Sequence, residues 1–325
     1  MAQLEELRFR GWNVLRLSTE ALTAEIIPGL GGTITSLRRR VDAAEVLWSA
    51  PWGLRHRGAR SLPGTSQAEM IDSLAGGWQT LFPNGGDSVS LHGVEWGYDG
   101  EARVTWLDWE FTGSSVRMAG RLIRAPFEIT KIISMRDSEI TVGETVRNAG
   151  RERIETMWGS QLMLGGALLG PETVVDAAAA VVRPDPDISP GANYDDLMPW
   201  PRSHGPEAMI NLRLLPGPDA EEARLAYLSD FSQPLIAVSR PSHRIAIDVE
   251  WDAGVFPYVW YALEAGRRDG FPWYGAGYFL SLTPCTSWPA HGVHEARRVS
   301  NSTVMIDPGE VLTSYVALRV QPLPK

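Results

Sequence analysis

The stretch FEITKIISMRDSEITVGETVRNA, residues 127–149, decides the fold class. In its two halves, Phe127–Arg136 and Glu139–Ala149, apolar and polar residues alternate, which is the pattern of a strand with one buried face. The short polar segment between the halves is typical of a tight turn. The stretch therefore predicts two neighbouring strands of an antiparallel meander.

Segments of the same kind recur along the chain, separated by turn-forming residues at intervals of roughly ten residues. Helical patterns are few: Ala68–Leu74 predicts a short helix, and Gly217–Leu228 predicts another with Asp219 as its N-cap. The proline-rich stretch Arg183–Glu207 predicts a loop on or over a cleft. With no shift in composition, residues 1–325 are expected to form one all-β domain, a large antiparallel sandwich or barrel with few short helices.

Composition excludes several functional classes. A net charge of −9 and a pI near 5.3 argue against nucleic-acid binding, which needs a basic surface. No segment approaches the roughly 18 apolar residues of a membrane span. The single cysteine, Cys285, rules out an internal disulfide and a cysteine-based zinc site, and it fits the reducing cytoplasm.

No cofactor or metal is expected, because the familiar nucleotide and metal motifs are missing. His291 and His294 stand close together in HGVH, but with no third ligand nearby in sequence they are expected in a surface loop. The sequence leaves the oligomeric state open.

The aromatic content points to a ligand with a ring. The chain holds 13 Trp against 8 Phe and 8 Tyr, and the glycine-rich stretch Gly76–Gly97 brings together Trp78, Asn84, His92 and Trp96. Indoles stack on the apolar face of a sugar ring, whereas amides and imidazoles bind its hydroxyls. The stretch therefore predicts part of a sugar-binding cleft.

Two later regions carry the same mixture of residues. Gln161 ends a strand-like segment beside a glycine turn, and Glu264 follows VWYAL and precedes another glycine turn. We expect Glu264 to point into the cleft. The further binding residues expected in these two regions are Gln161, Asp248, Trp260, Trp273 and Thr283.

The order of several motifs resembles the aldose 1-epimerase (galactose mutarotase-like) superfamily. These motifs are IPGLGGTITSL (27–37), GGWQTLFPNGG (76–86), LHGVEWG (91–97), WGSQLMLG (158–165) and PWYGAGYFLSLTPCTSWP (272–289). The resemblance is to a divergent bacterial member. It implies a β-supersandwich with an open cleft in which a glutamate base and a histidine acid interconvert sugar anomers.

Only some of the catalytic residues that the resemblance implies are present in this sequence. His92 in LHG matches a family histidine, but Gln161 stands where the resemblance expects a second histidine, and Thr283 stands where it expects the glutamate. Neither an amide nor a threonine hydroxyl acts as a general base at neutral pH.

Three functions stay open at this point. The chain is an epimerase-like enzyme that uses His92 with a relocated base, Glu264 or Asp248. Alternatively, it is a carbohydrate-binding or regulatory module without turnover, or it serves another reaction on a sugar-like substrate. In each case the expected partner is a small sugar or glycoside.

Overall fold

The structure is a computed structural model, and it describes residues 2–205, 208–267 and 270–322. Its strands, in chain order, are β1 (Gln3–Phe9), β2 (Trp12–Ser18), β3 (Leu22–Ile27), β4 (Thr33–Arg39), β5 (Ala44–Glu45), β6 (Trp78–Leu81), β7 (Val89–Leu91), β8 (Val94–Trp96), β9 (Asp108–Phe111), β10 (Ser115–Arg121), β11 (Phe127–Arg136), β12 (Glu139–Asn148), β13 (Ile154–Thr156), β14 (Gly159–Leu164), β15 (Val174–Pro184), β16 (Met198–Pro199), β17 (Arg202–His204), β18 (Met209–Asn211), β19 (Glu222–Arg240), β20 (Ile245–Trp251), β21 (Tyr258–Ala265), β22 (Tyr278–Cys285), β23 (Val304–Ile306) and β24 (Val311–Pro322). The α-helices of the described residues are α1 (Ser66–Ser73) and α2 (Gly292–Val299). Strands hold 51% of the structure, which confirms the all-β prediction.

The strands pair antiparallel in two layers. One layer runs β9, β10, β11, β12, β24, β20, and the other runs β6, β14, β22, β21. The long strand β19 belongs to both, since Glu222–Leu228 pairs with β21 and Leu235–Arg240 pairs with β20. Within the first layer, β24 lies between β12 and β20.

The alternating pattern of β11 and β12 produces the expected meander. The two strands pair along their whole length, and their residues alternate between buried and more exposed positions. Because one face of each strand lies against the other layer, its apolar residues leave water, which is the main stabilising contribution of the sandwich.

Aromatic side chains fill the space between the layers. Phe82 and Phe127 meet edge to face at 4.8 Å between ring centroids, and Trp158 meets Phe256 at 5.1 Å. Such pairs add about 0.5–1.5 kcal/mol each beyond the area they bury. Three of the tryptophans expected at the cleft are buried in the same core, namely Trp78, Trp96 and Trp260.

One predicted helix is confirmed and the other is wrong. The segment Ala68–Leu74 lies largely within α1, whose N-cap is Thr65; the Thr65 hydroxyl accepts from the Ala68 N–H at 3.2 Å. The segment Gly217–Leu228 instead enters β19 at Glu222. There the backbone pairs with β21 on one side and β15 on the other, and this tertiary pairing outweighs local helix propensity.

The stretch Arg183–Glu207 is more regular than expected. It contains the end of β15, all of β16 and all of β17, while its last two residues lie outside the described ranges. Tyr194 packs beside Trp288 at 6.0 Å between ring centroids.

The expected surface loop at His291 and His294 is also wrong. His291 is the N-cap residue of α2, and His294 lies within that helix. Each α-helix in the described part of the chain spans 8 residues, too short to cross a bilayer.

Candidate functional site

Four neighbouring strands direct polar residues to one face of the second layer. Gln79 on β6 pairs with Gln161 on β14, and Ser281 on β22 pairs with Met163 on one side and Ala262 on the other. Since side chains alternate between the faces of a strand, paired residues share a face. This face lies opposite the core.

These residues form the floor of a pocket of about 230 Å³, here called the Gln161 pocket. Its polar lining comes from Gln67, Gln79, Tyr98, Asp99, Gln161 and Ser281. Its size suits a single small ring rather than a drug-sized ligand, since sites for the latter are roughly 300–1,000 Å³. Two larger hollows lie beside Glu20, but their linings gather no buried amide.

The two amides are already aligned with each other. Gln79 Nε2 donates to Gln161 Oε1 at 2.6 Å, and Arg103 Nε approaches Gln79 Oε1 at 3.4 Å. Ser281 and Thr283 lie 3.4 Å apart, oxygen to oxygen. The floor therefore combines amide and hydroxyl groups, which can both donate and accept hydrogen bonds.

An aromatic cluster forms one wall. Trp273 stacks on Trp52 with ring centroids 5.6 Å apart and planes inclined by 9°, and it meets Trp48 and Phe279 edge-on. Because its neighbours fix the indole of Trp273, this residue presents an ordered apolar surface to the pocket.

Asp99 supplies a buried carboxyl to the same pocket. The residue is 5% exposed, and its Oδ1 accepts from the Gly86 N–H at 2.9 Å. Burial raises the pKa of Asp99 to about 6, although the Gly86 N–H and the charge of Arg103 act in the opposite direction. This carboxyl therefore exchanges its proton near neutral pH.

The structure brings four of the predicted residues to this region. Gln161 and Trp273 line the pocket, and Thr283 approaches its Ser281 hydroxyl. Glu264 follows Ala262 on the same face of β21, and its Oε1 accepts from the Arg267 N–H at 2.9 Å.

Three predicted residues of the glycine-rich stretch are buried elsewhere. Trp78, adjacent to Gln79, points to the core face, where its Nε1 donates to Ser160 Oγ at 2.7 Å. Asn84 is fully buried and holds the loop backbone, with its Oδ1 accepting from the Val293 N–H at 3.0 Å. Trp96 is 2% exposed and packs in the core. None of the three lines the Gln161 pocket.

The remaining three predicted residues also lie outside the pocket lining. His92 sits in the turn between β7 and β8, with its side chain 44% exposed and its Nδ1 3.7 Å from Glu152. Asp248 lies on β20, in the other layer, and accepts from Gln321. Trp260 covers Gly85 and donates through Nε1 to the Ser287 carbonyl at 2.7 Å.

Sequence reasoning missed Asp99 and Ser281, and it placed Gln79 among the polar residues of the glycine-rich stretch without choosing it as a binding residue. Asp99 stands in GYDG, at the end of the glycine-rich stretch Gly76–Gly97. A carboxyl between turn glycines is a pattern from which a site residue could have been predicted. Gln79 and Ser281 carry no such signal. Their roles follow only from strand pairing, which sets the face on which each residue lies.

His291 is the centre of a separate charged cluster. Its Nε2 lies 2.9 Å from Asp185 and its Nδ1 3.2 Å from Asp87, while Tyr227 donates to the same Asp185 carboxylate. Burial lowers the pKa of His291, but the two carboxylates outweigh it and raise the pKa to about 10. Asp185, Asp187 and His291 place donor atoms within 4.8 Å, the spacing of a metal site. Both ring nitrogens of His291 are hydrogen-bonded to carboxylates, so the cluster as it stands is an ion-pair network.

No protein-family model matches the sequence, and no curated protein matches it. Among solved structures, a galactose mutarotase-like protein from Clostridium acetobutylicum is similar with a TM-score of 0.69, at 13% identity over 99% of this chain and 99% of that one. A galactose mutarotase-like protein from Lactobacillus casei gives 0.66, at 16% identity over 95% and 100%. A galactose mutarotase related enzyme from Lactobacillus acidophilus gives 0.66, at 12% identity over 96% and 98%. The chain thus has the galactose mutarotase-like fold, a β-supersandwich as the sequence predicted.

Proposed function

We propose that this protein binds a monosaccharide or a sugar derivative in the Gln161 pocket. The observation that carries the proposal is the pairing of hydrogen-bonded amides, Gln79 and Gln161, with the fixed indole of Trp273 in one small pocket. Amides bind ring hydroxyls and an indole covers the apolar face of a ring, so the pocket matches both sides of a sugar.

The fold neighbours support the same ligand class, since several are described as galactose mutarotase-like. The ligand is a small molecule, as the pocket volume of about 230 Å³ favours one ring over a chain of rings. The single cysteine supports a cytoplasmic location for this activity.

Binding can be tested by calorimetry across free aldohexoses, aldopentoses and methyl glycosides. Gln161→Ala should weaken binding by about tenfold or more, because it removes the hydrogen bonds of an amide to a ring hydroxyl and leaves Gln79 without its partner. Gln233→Ala, at an exposed glutamine of β19, is the matched control and should bind as the wild type does.

Equal affinity in the Gln161→Ala and Gln233→Ala proteins would contradict the assignment of the pocket. Absence of binding across the whole sugar panel would contradict the proposed ligand class.

Interconversion of sugar anomers is the second candidate function, favoured by the presence of an ionisable carboxyl in the pocket. The sequence-derived pair His92 and Glu264 remains a proposal for the acid and the base. His92 lies on a turn outside the pocket lining, so its participation requires a ligand that extends to that turn. Anomer exchange followed by NMR separates this function from a binding module, which would bind the sugar and leave its exchange rate unchanged.

A further inference from the structure

Asp99 is the carboxyl that the described residues place in the lining of the Gln161 pocket. Its Oδ1 is occupied by the Gly86 N–H at 2.9 Å, whereas Oδ2 makes no hydrogen bond to the part of the chain that the structure describes. A pocket-lining carboxyl with one oxygen anchored and the other available is arranged to take a proton from a ligand.

The backbone holds this carboxyl in a fixed position. Asp99 has a φ of +59°, and its N–H donates to the Gly86 carbonyl at 2.9 Å, so residues 86 and 99 bind each other twice. The following Gly100 fits tightly, since a Cβ there would lie 2.4 Å from the Phe82 carbonyl oxygen. Left-handed backbone at a non-glycine residue persists when its surroundings enforce it.

The charged and titratable groups around Asp99 are few. Besides burial, which raises the pKa of Asp99, the charge of Arg103 lowers this pKa and the charge of Asp87 raises it. The charge of Asp99 in turn acts on the pKa values of the buried Tyr98 hydroxyl and the buried Cys285 thiol. Burial raises the pKa of Tyr98, and it raises the pKa of Cys285 to about 12, so neither group exchanges a proton near neutral pH. Asp99, with a pKa of about 6, is the member of this set that does.

We propose that Asp99 is the general base of the Gln161 pocket and removes the proton of the anomeric hydroxyl of a bound free aldose. This inference rests on the proposed sugar binding and goes beyond it, because it assigns ring opening to a residue other than His92 and Glu264.

The step balances with water as the second reactant. Asp99 Oδ2 takes the hydroxyl proton, the O–H electron pair forms the C1=O1 double bond, and the C1–O5 bond breaks with its pair on O5. O5 takes a proton from a water molecule, and the hydroxide left behind takes the proton from Asp99. Rotation about C1–C2 and the reverse steps close the ring on the other face.

The test measures anomer exchange by NMR, with free aldohexoses and aldopentoses as probes and calorimetry run in parallel. Asp99→Asn should lower the protein-dependent exchange rate by about 100-fold or more, the usual contribution of a general base, and change the affinity only a few-fold. Asp195→Asn, at an exposed aspartate, is the matched control and should keep the wild-type rate.

The pH profile of the wild type tests the same assignment without a variant. The exchange rate should rise with pH through about 6 and level off above it, because the base acts in its ionised form. A flat profile, an Asp99→Asn rate equal to the wild-type rate, or no acceleration by the wild type of any aldose would each overturn the assignment. Sugar binding in calorimetry would in those cases leave the proposed function standing, whereas absence of binding would remove that as well.

Discussion

Asp99 links the chemistry of the pocket to the stability of the protein. Its pKa is about 6 in the folded chain, against roughly 3.9 for an unfolded aspartate. Between these values the folded state binds more protons than the unfolded state does. The contribution of this group to stability is therefore fully present below the lower value and is lost as the pH rises through about 6.

It follows that Asp99→Asn should stabilise the protein above pH 6. Asparagine cannot ionise, and it keeps an oxygen that accepts from the Gly86 N–H, so we expect a gain of about 1–3 kcal/mol at pH 8 and about half of that gain at pH 5. Thermal or urea unfolding at the two pH values measures the difference. Asp195→Asn serves as control, and a pH-independent effect of Asp99→Asn would refute the prediction.

The candidate site was predictable only where residue type alone carries the signal. Gln161 and Trp273 were found because an amide beside a glycine turn and an indole in a glycine-rich segment are unusual. Trp78 and Gln79 are neighbours, yet one faces the core and the other faces the pocket. Sequence could not choose between them, because the choice depends on which strands pair and in which register.

The helix α2 is anchored at its start by side chains from distant parts of the chain. Asn84 Oδ1 accepts from the Val293 N–H, and His291 joins Asp87 and Asp185. These contacts tie α2 to the glycine-rich loop before β7 and to the end of β15. The position of that loop, which also carries Gly86 and so holds Asp99, thus depends on this helix.

His291→Gln should weaken the fold in a pH-dependent way. The pKa of His291 in the folded protein, about 10, lies above its usual value of 6.5. The stabilisation by the protonated imidazole is therefore fully present below pH 6.5 and is lost as the pH rises through about 10. We expect a loss of about 2–3 kcal/mol at pH 6 that shrinks towards pH 10. Urea unfolding at pH 6, 8 and 10 checks this, with the exposed His294→Gln as control; a loss of equal size at all three pH values would speak against it.

Strands with clear alternation were predictable, whereas segments set by tertiary pairing were not. The bounds of β11 were predicted residue for residue, since both of its ends coincide with a change of pattern. The sequence at the start of β19 has a helical pattern, and its extended form depends on pairing with β15 and β21 on its two sides. No local pattern contains that information.

A buried ion pair of the first layer is hydrogen-bonded to the second layer in the core. Lys131 Nζ lies 3.0 Å from Glu144 Oε1, and both side chains are almost fully buried. Thr80 and Trp158 of the opposite layer donate to the same carboxylate. Every charged atom of the pair thus has partners, as a buried charge requires.

Removing one partner should cost far more than removing both. Glu144→Leu leaves the Lys131 ammonium buried beside an apolar side chain, so we expect a loss of about 3–5 kcal/mol, whereas Lys131→Met combined with Glu144→Leu should lose clearly less than the sum of the two single changes. Urea unfolding of the two single variants and the double variant provides the cycle. Additive losses would show that the pair is not coupled.

The place of β24 has a consequence for how the protein is made. β24 fills the gap between β12 and β20, although it follows both of them in the chain. While the ribosome is still adding residues after β20, these two strands therefore present open edges whose backbone groups have no neighbour. Unpaired edges of this kind invite wrong partners. The nascent chain depends on the arrival of residues 311–322 to close its own sheet, and until then chaperone contact would be most useful at β12 and β20.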